Sequence, residues 1–289
     1  MNYDEAFDAT LRPRHDLLSR EELQAAERRR QGRLLRDDNE CYAMVDAFKL
    51  HRAHTDAFKL AIEERGPFLA QGQTVCVVDL GSGAGNVGAA FVEAWASRPP
   101  ARLTFIGVEP HSLMRRLGIE FLRTLAPPWL DAAFAETATG LTIPRADHYL
   151  VTLNYVLHQP GVTEQDLKDW AGLLVRLHSM GRTCLLAVSP NSISPALQGL
   201  DRTEGLCREM VAAGLGFEVH STTRRMDRRM PRENGRGWIV QPARGADWHN
   251  VRIDRYEFPL GVGADSRTAE NSGAVVPPKR SPPFMPVQD

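Results

Sequence analysis

The stretch Val77-Val78-Asp79-Leu80-Gly81-Ser82-Gly83-Ala84-Gly85-Asn86-Val87-Gly88 decides the architecture. An apolar run over 74–80 ends in three glycines at alternate positions, and a helix-forming sequence over 85–96 follows at once. A continuous apolar run bounded by turn residues predicts a strand buried on both faces, as in a parallel sheet. Glycine permits the positive φ angles of a tight strand-to-helix turn and lets backbone N–H groups approach a ligand. The start of the helix adds partial positive charge at the same place.

Beyond this segment strand and helix signals alternate, which implies βαβ units. Residues 103–108 read as the second strand, with a helix over 111–125. A third strand is expected at 132–135 and a fourth at 148–153. Thr163 and Asp166 form a capping box that opens a helix to about residue 179. Residues 183–188 read as the fifth strand, and Asp201 as the cap of a helix that stops at Gly214. The runs 217–223 and 238–241 are expected to pair as an antiparallel hairpin across a basic loop containing Asn234-Gly235, with one more strand at 251–258.

Residues 1–66 read as helical. Ser19 and Glu22 form another capping box, and a second helical stretch over 41–64 contains DAFKL twice, at 46–50 and 56–60. Ten residues at about 100° each leave the copies on faces about 80° apart, so they form no single stripe. Residues 261–289 are rich in Gly, Pro and Ser with few apolar anchors, which predicts disorder. The expected organisation is an N-terminal helical segment, 1–66, an α/β domain, 67–260, and a tail, 261–289.

With 43% apolar residues the 289-residue chain can bury a sizeable core, and its formal charge of −1 gives no support to a nucleic-acid or membrane partner. Arginines do cluster, at 28, 29, 30, 33 and 36 and again at 224, 225, 228, 229, 232 and 236. Each cluster is interspersed with acids and reads as a solvated face or loop, and both motivate an RNA-contacting alternative. The four cysteines form no CxxC, so neither a disulfide framework nor a metal site is expected. No apolar stretch approaches the roughly 20 residues that span a bilayer. The first sixteen residues lack an apolar signal core, and the expected location is the cytoplasm.

Gly83, Gly85 and Gly88 satisfy the dinucleotide pattern GxGxxG. Asp79, Gly81, Gly83 and Gly85 match more: the segment resembles motif I, D-x-G-x-G-x-G, of the class I S-adenosylmethionine (SAM)-dependent methyltransferases. The resemblance covers roughly residues 70–245. It implies a Rossmann-like, seven-stranded, mainly parallel sheet with helices on both faces and an antiparallel seventh strand. It also implies SAM as cofactor, with Asp79 toward the amino-acid end and the glycines under the methionine and ribose. A carboxylate suits the ammonium of SAM and would repel a pyrophosphate, which favours SAM over NAD.

Phe105-Ile106-Gly107-Val108-Glu109-Pro110 resembles the second family landmark, and Glu109 would accept hydrogen bonds from both ribose hydroxyls. Ala135-Glu136-Thr137-Ala138 is the nearest match to the adenine loop, which carries Glu136 over. Leu153-Asn154-Tyr155-Val156-Leu157-His158 resembles the tip of strand four in small-molecule methyltransferases, and no NPPY-type motif follows Asn154. His158 is then the candidate general base, Asn154 a residue that orients substrate or SAM, and Tyr155 an aromatic wall beside the sulfonium. Tyr42, Phe48, His51, His54 and Phe58 are available for a lid, and Trp238, Trp248 and Tyr256 for an acceptor pocket. The expected reaction is methyl transfer to a small molecule or amino-acid-like metabolite. The alternatives are transfer or cyclisation of the aminocarboxypropyl arm, which releases methylthioadenosine, and an RNA-binding or RNA-methylating protein with a SAM fold.

Overall fold

A computed structural model describes residues 1–32, 40–66, 72–157, 159, 161–190, 202–232, 235–241 and 250–259. Three helices come first: α1 (Tyr3–Asp16), α2 (Arg20–Gly32) and α3 (Glu40–Arg65). A reciprocal capping box starts α1. Asn2 accepts from the Glu5 amide at 2.9 Å, and the Glu5 carboxylate accepts from the Asn2 amide at 3.0 Å.

The α/β region follows as β1 (Thr74–Leu80), α4 (Asn86–Ala94), β2 (Arg102–Val108), α5 (Ser112–Leu125), β3 (Leu130–Ala135) and β4 (His148–Asn154). It continues as α6 (Glu164–Met180), β5 (Arg182–Pro190), α7 (Thr203–Ala212), β6 (Glu218–Arg225), β7 (Arg228–Pro231), β8 (Trp238–Gln241) and β9 (Asn250–Glu257). Seven strands form one sheet in the order β3-β2-β1-β4-β5-β9-β6. The first five run parallel, and β9 inserts antiparallel between β5 and β6. The mainly parallel α/β sheet expected from the sequence is therefore present. The glycine loop lies after central β1, where connections leave in opposite directions to β2 and β4, the crevice in which open α/β sheets bind ligands.

Both faces of the sheet are buried, each under its own apolar cluster. One unites α1, α3, α4 and α5 with Val75, Val77, Leu103, Phe105 and Leu150. The other unites α6 and α7 with Cys76, Val78, Leu80, Val151 and Leu153. The period of two along each strand explains why neighbours such as Val77 and Val78 serve opposite layers. The N-terminal helices share the first cluster with the strands. Phe7, Leu11, Phe48 and Phe58 are all fully buried. The two DAFKL copies have different partners, as their angular offset requires. Phe48 packs on Phe7 and stacks on His15, at ring separations of 5.3 and 3.7 Å, whereas Phe58 packs on Phe91 at 6.0 Å.

The expected hairpin between 217–223 and 238–241 is not formed. Strand β6 pairs with β9, and β8 pairs with β7 in a separate two-stranded ribbon. The additional strand expected at 251–258 is β9, and its charges gave no sign that it lies inside the sheet. Arg252 is paired with Asp254, and Arg255 with Glu257, while Val251, Ile253 and Tyr256 are buried. Helix α7 has Arg202 as N-cap, one residue past the expected Asp201, which lies outside the described residues. The tail 261–289 also lies outside them. Among the described residues no helix is long and apolar enough to cross a membrane.

The second arginine cluster is not a simple solvated loop. Arg224 pairs with Glu64, Arg229 with Asp56 and Arg236 with Asp8, so three of its cations are engaged by carboxylates of α1 and α3. The Arg229 and Arg236 pairs strap the β7–β8 ribbon to the N-terminal helices, Arg224 ties the end of β6 to α3, and Trp238 donates to Asp4 at 3.0 Å on the ribbon's seam. In the first cluster, the side chains of residues 29–39 lie outside the description.

Candidate cofactor and acceptor site

The three motif glycines all adopt positive φ: +72° at Gly81, +52° at Gly83 and +83° at Gly85. Their surroundings differ. A Cβ on Gly81 would lie 2.5 Å from Val156 Cγ2, and one on Gly85 3.3 Å from both Gly118 Cα and Leu122 Cγ. At Gly83 a Cβ would meet nothing within 4 Å. Gly81 and Gly85 therefore satisfy packing, and Gly83 faces open space, as a ligand cradle requires. The loop is fastened to β2 by the Gly81 and Ser82 amides, which both donate to the Val108 carbonyl, at 2.8 and 3.0 Å.

Glu109, at the tip of β2, closes the loop from the other side. Its Oε2 accepts from the Gly83 amide and its Oε1 from the His111 amide, each at 2.9 Å. Burial raises its carboxyl pKa, and those two amides and the nearby His111 and Arg115 side chains oppose the rise. A carboxylate oxygen can accept more than one hydrogen bond, so Glu109 keeps capacity for two ligand hydroxyls. Arg115 holds this tip in place by donating to the Glu109 and Pro110 carbonyls, both at 2.6 Å, and reaches Glu136 beyond β3 at 3.2 Å. Glu136 itself is largely exposed. Arg115 was not singled out in the sequence, because a basic residue in the first turns of a helix has no distinctive local pattern.

Asp79 is wholly buried beneath the loop. Its Oδ1 accepts from the Thr152 hydroxyl of β4 at 2.7 Å. Burial raises its pKa to about 8, and Glu109 adds to the rise while Thr152 opposes it. Asp79 Oδ2, Ser82 Oγ and Asn154 Oδ1 are buried and lack a hydrogen-bond partner within the described protein. Buried polar atoms are rarely left unpaired, so a set of them around one glycine loop marks a place built for a polar ligand.

The end of β4 supplies the other wall. Asn154 is buried and donates from Nδ2 to Asn86 Oδ1 at 3.2 Å, and to the His54 carbonyl at 3.5 Å. Tyr155 has φ +60°, the one positive value at a non-glycine among the described residues. Left-handed backbone costs a side-chain-bearing residue about 1–2 kcal/mol, and such outliers collect at functional sites. Its ring is stacked on His54 of α3, with centroids 4.4 Å apart and planes 9° apart. Burial raises the phenol to about 12, and the cation of Arg228 on β7 opposes this.

The structure thus brings Asp79, Gly81, Gly83, Gly85 and Glu109 together at the β1–β2 crevice and places Asn154 and Tyr155 beside them. Of the lid set, His54 reaches Tyr155, whereas Phe48 and Phe58 are core residues. Trp238 packs on α1, and Tyr256 lies in the opposite cluster. His158 and Trp248 lie outside the described residues. Thr152 and Asn86 were missed, since each sits in a segment whose local pattern is simply strand or helix start, and Arg228 because its stretch reads as a basic loop.

No protein-family profile matches the chain, and no curated protein matches its sequence. Among solved structures, the chain is similar to the mitomycin 7-O-methyltransferase MmcR at 19% identity and a TM-score of 0.42, over 82% of this chain and 60% of that one. It is similar to YcgJ of Bacillus subtilis at 13% identity and a TM-score of 0.42, over 70% of this chain and 97% of that one. It is also similar to the precorrin-6y C5,15-methyltransferase of Geobacter metallireducens, at 12% identity and a TM-score of 0.39, over 70% of this chain and 86% of that one. The strand order, the inserted antiparallel β9 and the glycine loop after β1 give this chain a Rossmann-like α/β fold of the form that its resemblance to class I SAM-dependent methyltransferases implies.

Proposed function

We propose that the protein is a cytoplasmic SAM-dependent methyltransferase that acts on a small molecule or amino-acid-like metabolite. The observation that carries this reading is Glu109 bonded to the amide of Gly83, beside a loop whose open side faces away from packed atoms. Around it, Asp79 and Asn154 each hold a buried oxygen with no partner within the described protein. Two ribose hydroxyls suit Glu109 in either a SAM or a dinucleotide site, and an ammonium beside Asp79 would draw off the proton that burial holds there, which a pyrophosphate would not. The strand order supports SAM over NAD as well, because the dinucleotide fold has the order 3-2-1-4-5-6 in a mostly parallel sheet, whereas here antiparallel β9 is inserted between β5 and β6.

When bound, SAM supplies a methyl group on a positively charged sulfur. In this reading Glu109 holds the ribose, the backbone at Gly83 lies under the methionine part, and Asp79 attracts the ammonium from below the loop. Glu136, tied to Arg115, closes the adenine end. Asn154 and Tyr155 orient the acceptor, and the Tyr155 ring favours a neighbouring cation through its π face. His158 removes the acceptor proton. Residues 1–66 form a fixed wall of the acceptor pocket through His54, and catalysis consists mainly of holding the nucleophile in line.

Calorimetry with SAM, S-adenosylhomocysteine and NAD tests the cofactor. Binding of the first two and not the third is expected, and NAD binding without a SAM response overturns the reading. Incubation with SAM and metabolite pools, followed by mass spectrometry, tests the reaction. S-adenosylhomocysteine with a methylated product supports it, and methylthioadenosine in its place means that the aminocarboxypropyl arm is transferred instead.

A further inference from the structure

A buried hydrogen-bond chain links the start of the protein to the glycine loop. The Tyr3 hydroxyl lies 2.6 Å from His51 Nδ1, and His51 Nε2 lies 3.0 Å from the Ala84 carbonyl oxygen. Both side chains are almost completely shielded from solvent, at 4% and 2% exposure. The chemistry fixes the direction of each bond. A carbonyl oxygen only accepts, so Nε2 carries the hydrogen and donates to Ala84. Burial lowers the imidazole pKa to about 4, so the ring is neutral near pH 7 and holds one proton. Nδ1 is then a bare acceptor, and Tyr3 donates to it.

The Ala84 carbonyl therefore selects the His51 tautomer, and Tyr3 satisfies the ring nitrogen left bare. With the proton moved to Nδ1, the Nε2 lone pair would face the lone pairs of the Ala84 oxygen. The same helix holds the far side of Gly85. Thr55, one turn after His51, donates its hydroxyl to the His51 carbonyl at 2.8 Å and lies 3.3 Å from the Asn86 carbonyl. Helix α3 thus bonds the carbonyl before Gly85, whose φ is +83°, and touches the one after it. Tyr3 is itself held by the Arg52 guanidinium, 4.2 Å from its ring centroid, and by Phe121 edge-on at 5.3 Å. An apolar pair would fill this volume without the cost of burying three polar atoms. The chain ends on a carbonyl of the glycine loop and not on another helix.

We propose that Tyr3 and His51 are positioning residues for the glycine loop, which they hold in the conformation that accepts the nucleoside ligand. The proposal deepens the SAM reading and rests on it for the identity of that ligand. The residues touch no reacting atom. They set the orientation of the Ala84–Gly85 peptide, and through it the helix start that faces the ligand.

The test uses the full-length protein and its Tyr3→Phe and His51→Gln variants. Three readouts are the side-chain nitrogen resonances of His51, amide hydrogen exchange, and the affinity for S-adenosylhomocysteine. In the parent, His51 shows the Nε2–H tautomer. In Tyr3→Phe the tautomer persists, held by the Ala84 carbonyl, but Nδ1 loses its donor, the Gly83 and Gly85 amides exchange about fivefold faster or more, and Kd rises by a similar factor, the scale of one lost hydrogen bond. Amides of β5 and β9 stay at parental rates. Gln offers Ala84 an N–H and Tyr3 an oxygen, so His51→Gln remains within about twofold of the parent. Parental loop exchange in Tyr3→Phe overturns the proposal. So does an acceleration spread equally over β5 and β9, which makes Tyr3 a core residue only. A parent that binds no SAM-type ligand, with loop exchange still responsive to Tyr3→Phe, overturns the cofactor reading and leaves the positioning role standing.

Discussion

Asp79 and Thr152 sit opposite each other in the register of β1 and β4, and the hydroxyl of Thr152 is the only hydrogen-bond donor that the described residues bring to the Asp79 carboxyl, 2.7 Å from Oδ1. One bond does not offset full burial, which is why the folded-state pKa rises to about 8. An unfolded aspartate titrates near 3.9. Between about pH 4 and pH 8 the folded protein therefore retains a proton that the unfolded chain has lost. Stability from this group is fully present below pH 4, falls as pH rises through the window, and levels off above about 8. The slope is at most about 1.4 kcal/mol per pH unit. Asp79→Asn keeps an acceptor for Thr152 and removes the titration. Urea unfolding of both proteins from pH 5 to 8.5 should show the variant gaining on the parent as pH rises. A constant difference across that range sinks the prediction.

Glu109 should matter more for ligand than for fold. It bridges the amides of Gly83 and His111, and its remaining lone pairs are the expected seat of the ribose. Glu109→Ala should weaken SAM binding by about 1.5–3 kcal/mol, the range for hydrogen bonds to a charged group. Glu109→Gln keeps one acceptor oxygen and should lose less. Calorimetry with S-adenosylhomocysteine measures both. Parental affinity in Glu109→Ala would place the ribose elsewhere.

The central part of the fold was legible in the sequence because the physics there is local. The run over 74–80 is buried on both faces, so it carries no alternation to misread, and the glycines that follow are demanded by positive φ. The far edge of the sheet was not legible. The β9 strand hides its buried residues among ion-paired arginines and acids, and its partner β6 lies across an intervening ribbon, so pairing depended on contacts remote in sequence. Asp79 and Glu109 were found through the motif, but Thr152, Asn86 and Tyr3 were not. Each acquires its role from a neighbour that only folding supplies.

The glycines of the loop should separate into two classes. Gly81→Ala sets a methyl 2.5 Å from Val156 Cγ2 as well as requiring left-handed backbone, so it should lower stability measurably. Gly83→Ala has the backbone cost alone, about 1–2 kcal/mol, since nothing lies within 4 Å of the new methyl. The methyl at position 83 projects into the space assigned to the ligand and should weaken binding beyond that cost. Thermal unfolding with and without S-adenosylhomocysteine distinguishes the two. If Gly83→Ala is stabilised by the ligand as much as the parent is, the open side of the loop is not the ligand cradle.

The N-terminal helices should prove inseparable from the α/β region. Phe7 is fully buried, and its ring packs against Phe48 at 5.3 Å and Trp238 at 4.8 Å, so one side chain joins α1 to α3 and to the β7–β8 ribbon. Arg12 reinforces the seam through the Arg232 carbonyl at 3.0 Å. Phe7→Ala should therefore cost about 3–5 kcal/mol, as large-to-small changes of buried aromatics do. Removal of residues 1–19 takes away Tyr3, Phe7 and Leu11 together and leaves the apolar sides of α3 and Trp238 uncovered. Such a protein should unfold at markedly lower urea, or collect as an aggregate, and the Tyr3 link to the glycine loop disappears with the helix. Urea titration by tryptophan fluorescence, alongside the Phe7→Ala variant, measures both effects. A truncated chain that unfolds at the parental midpoint and binds S-adenosylhomocysteine with parental affinity would show α1 to be a detachable cover and not a part of the core.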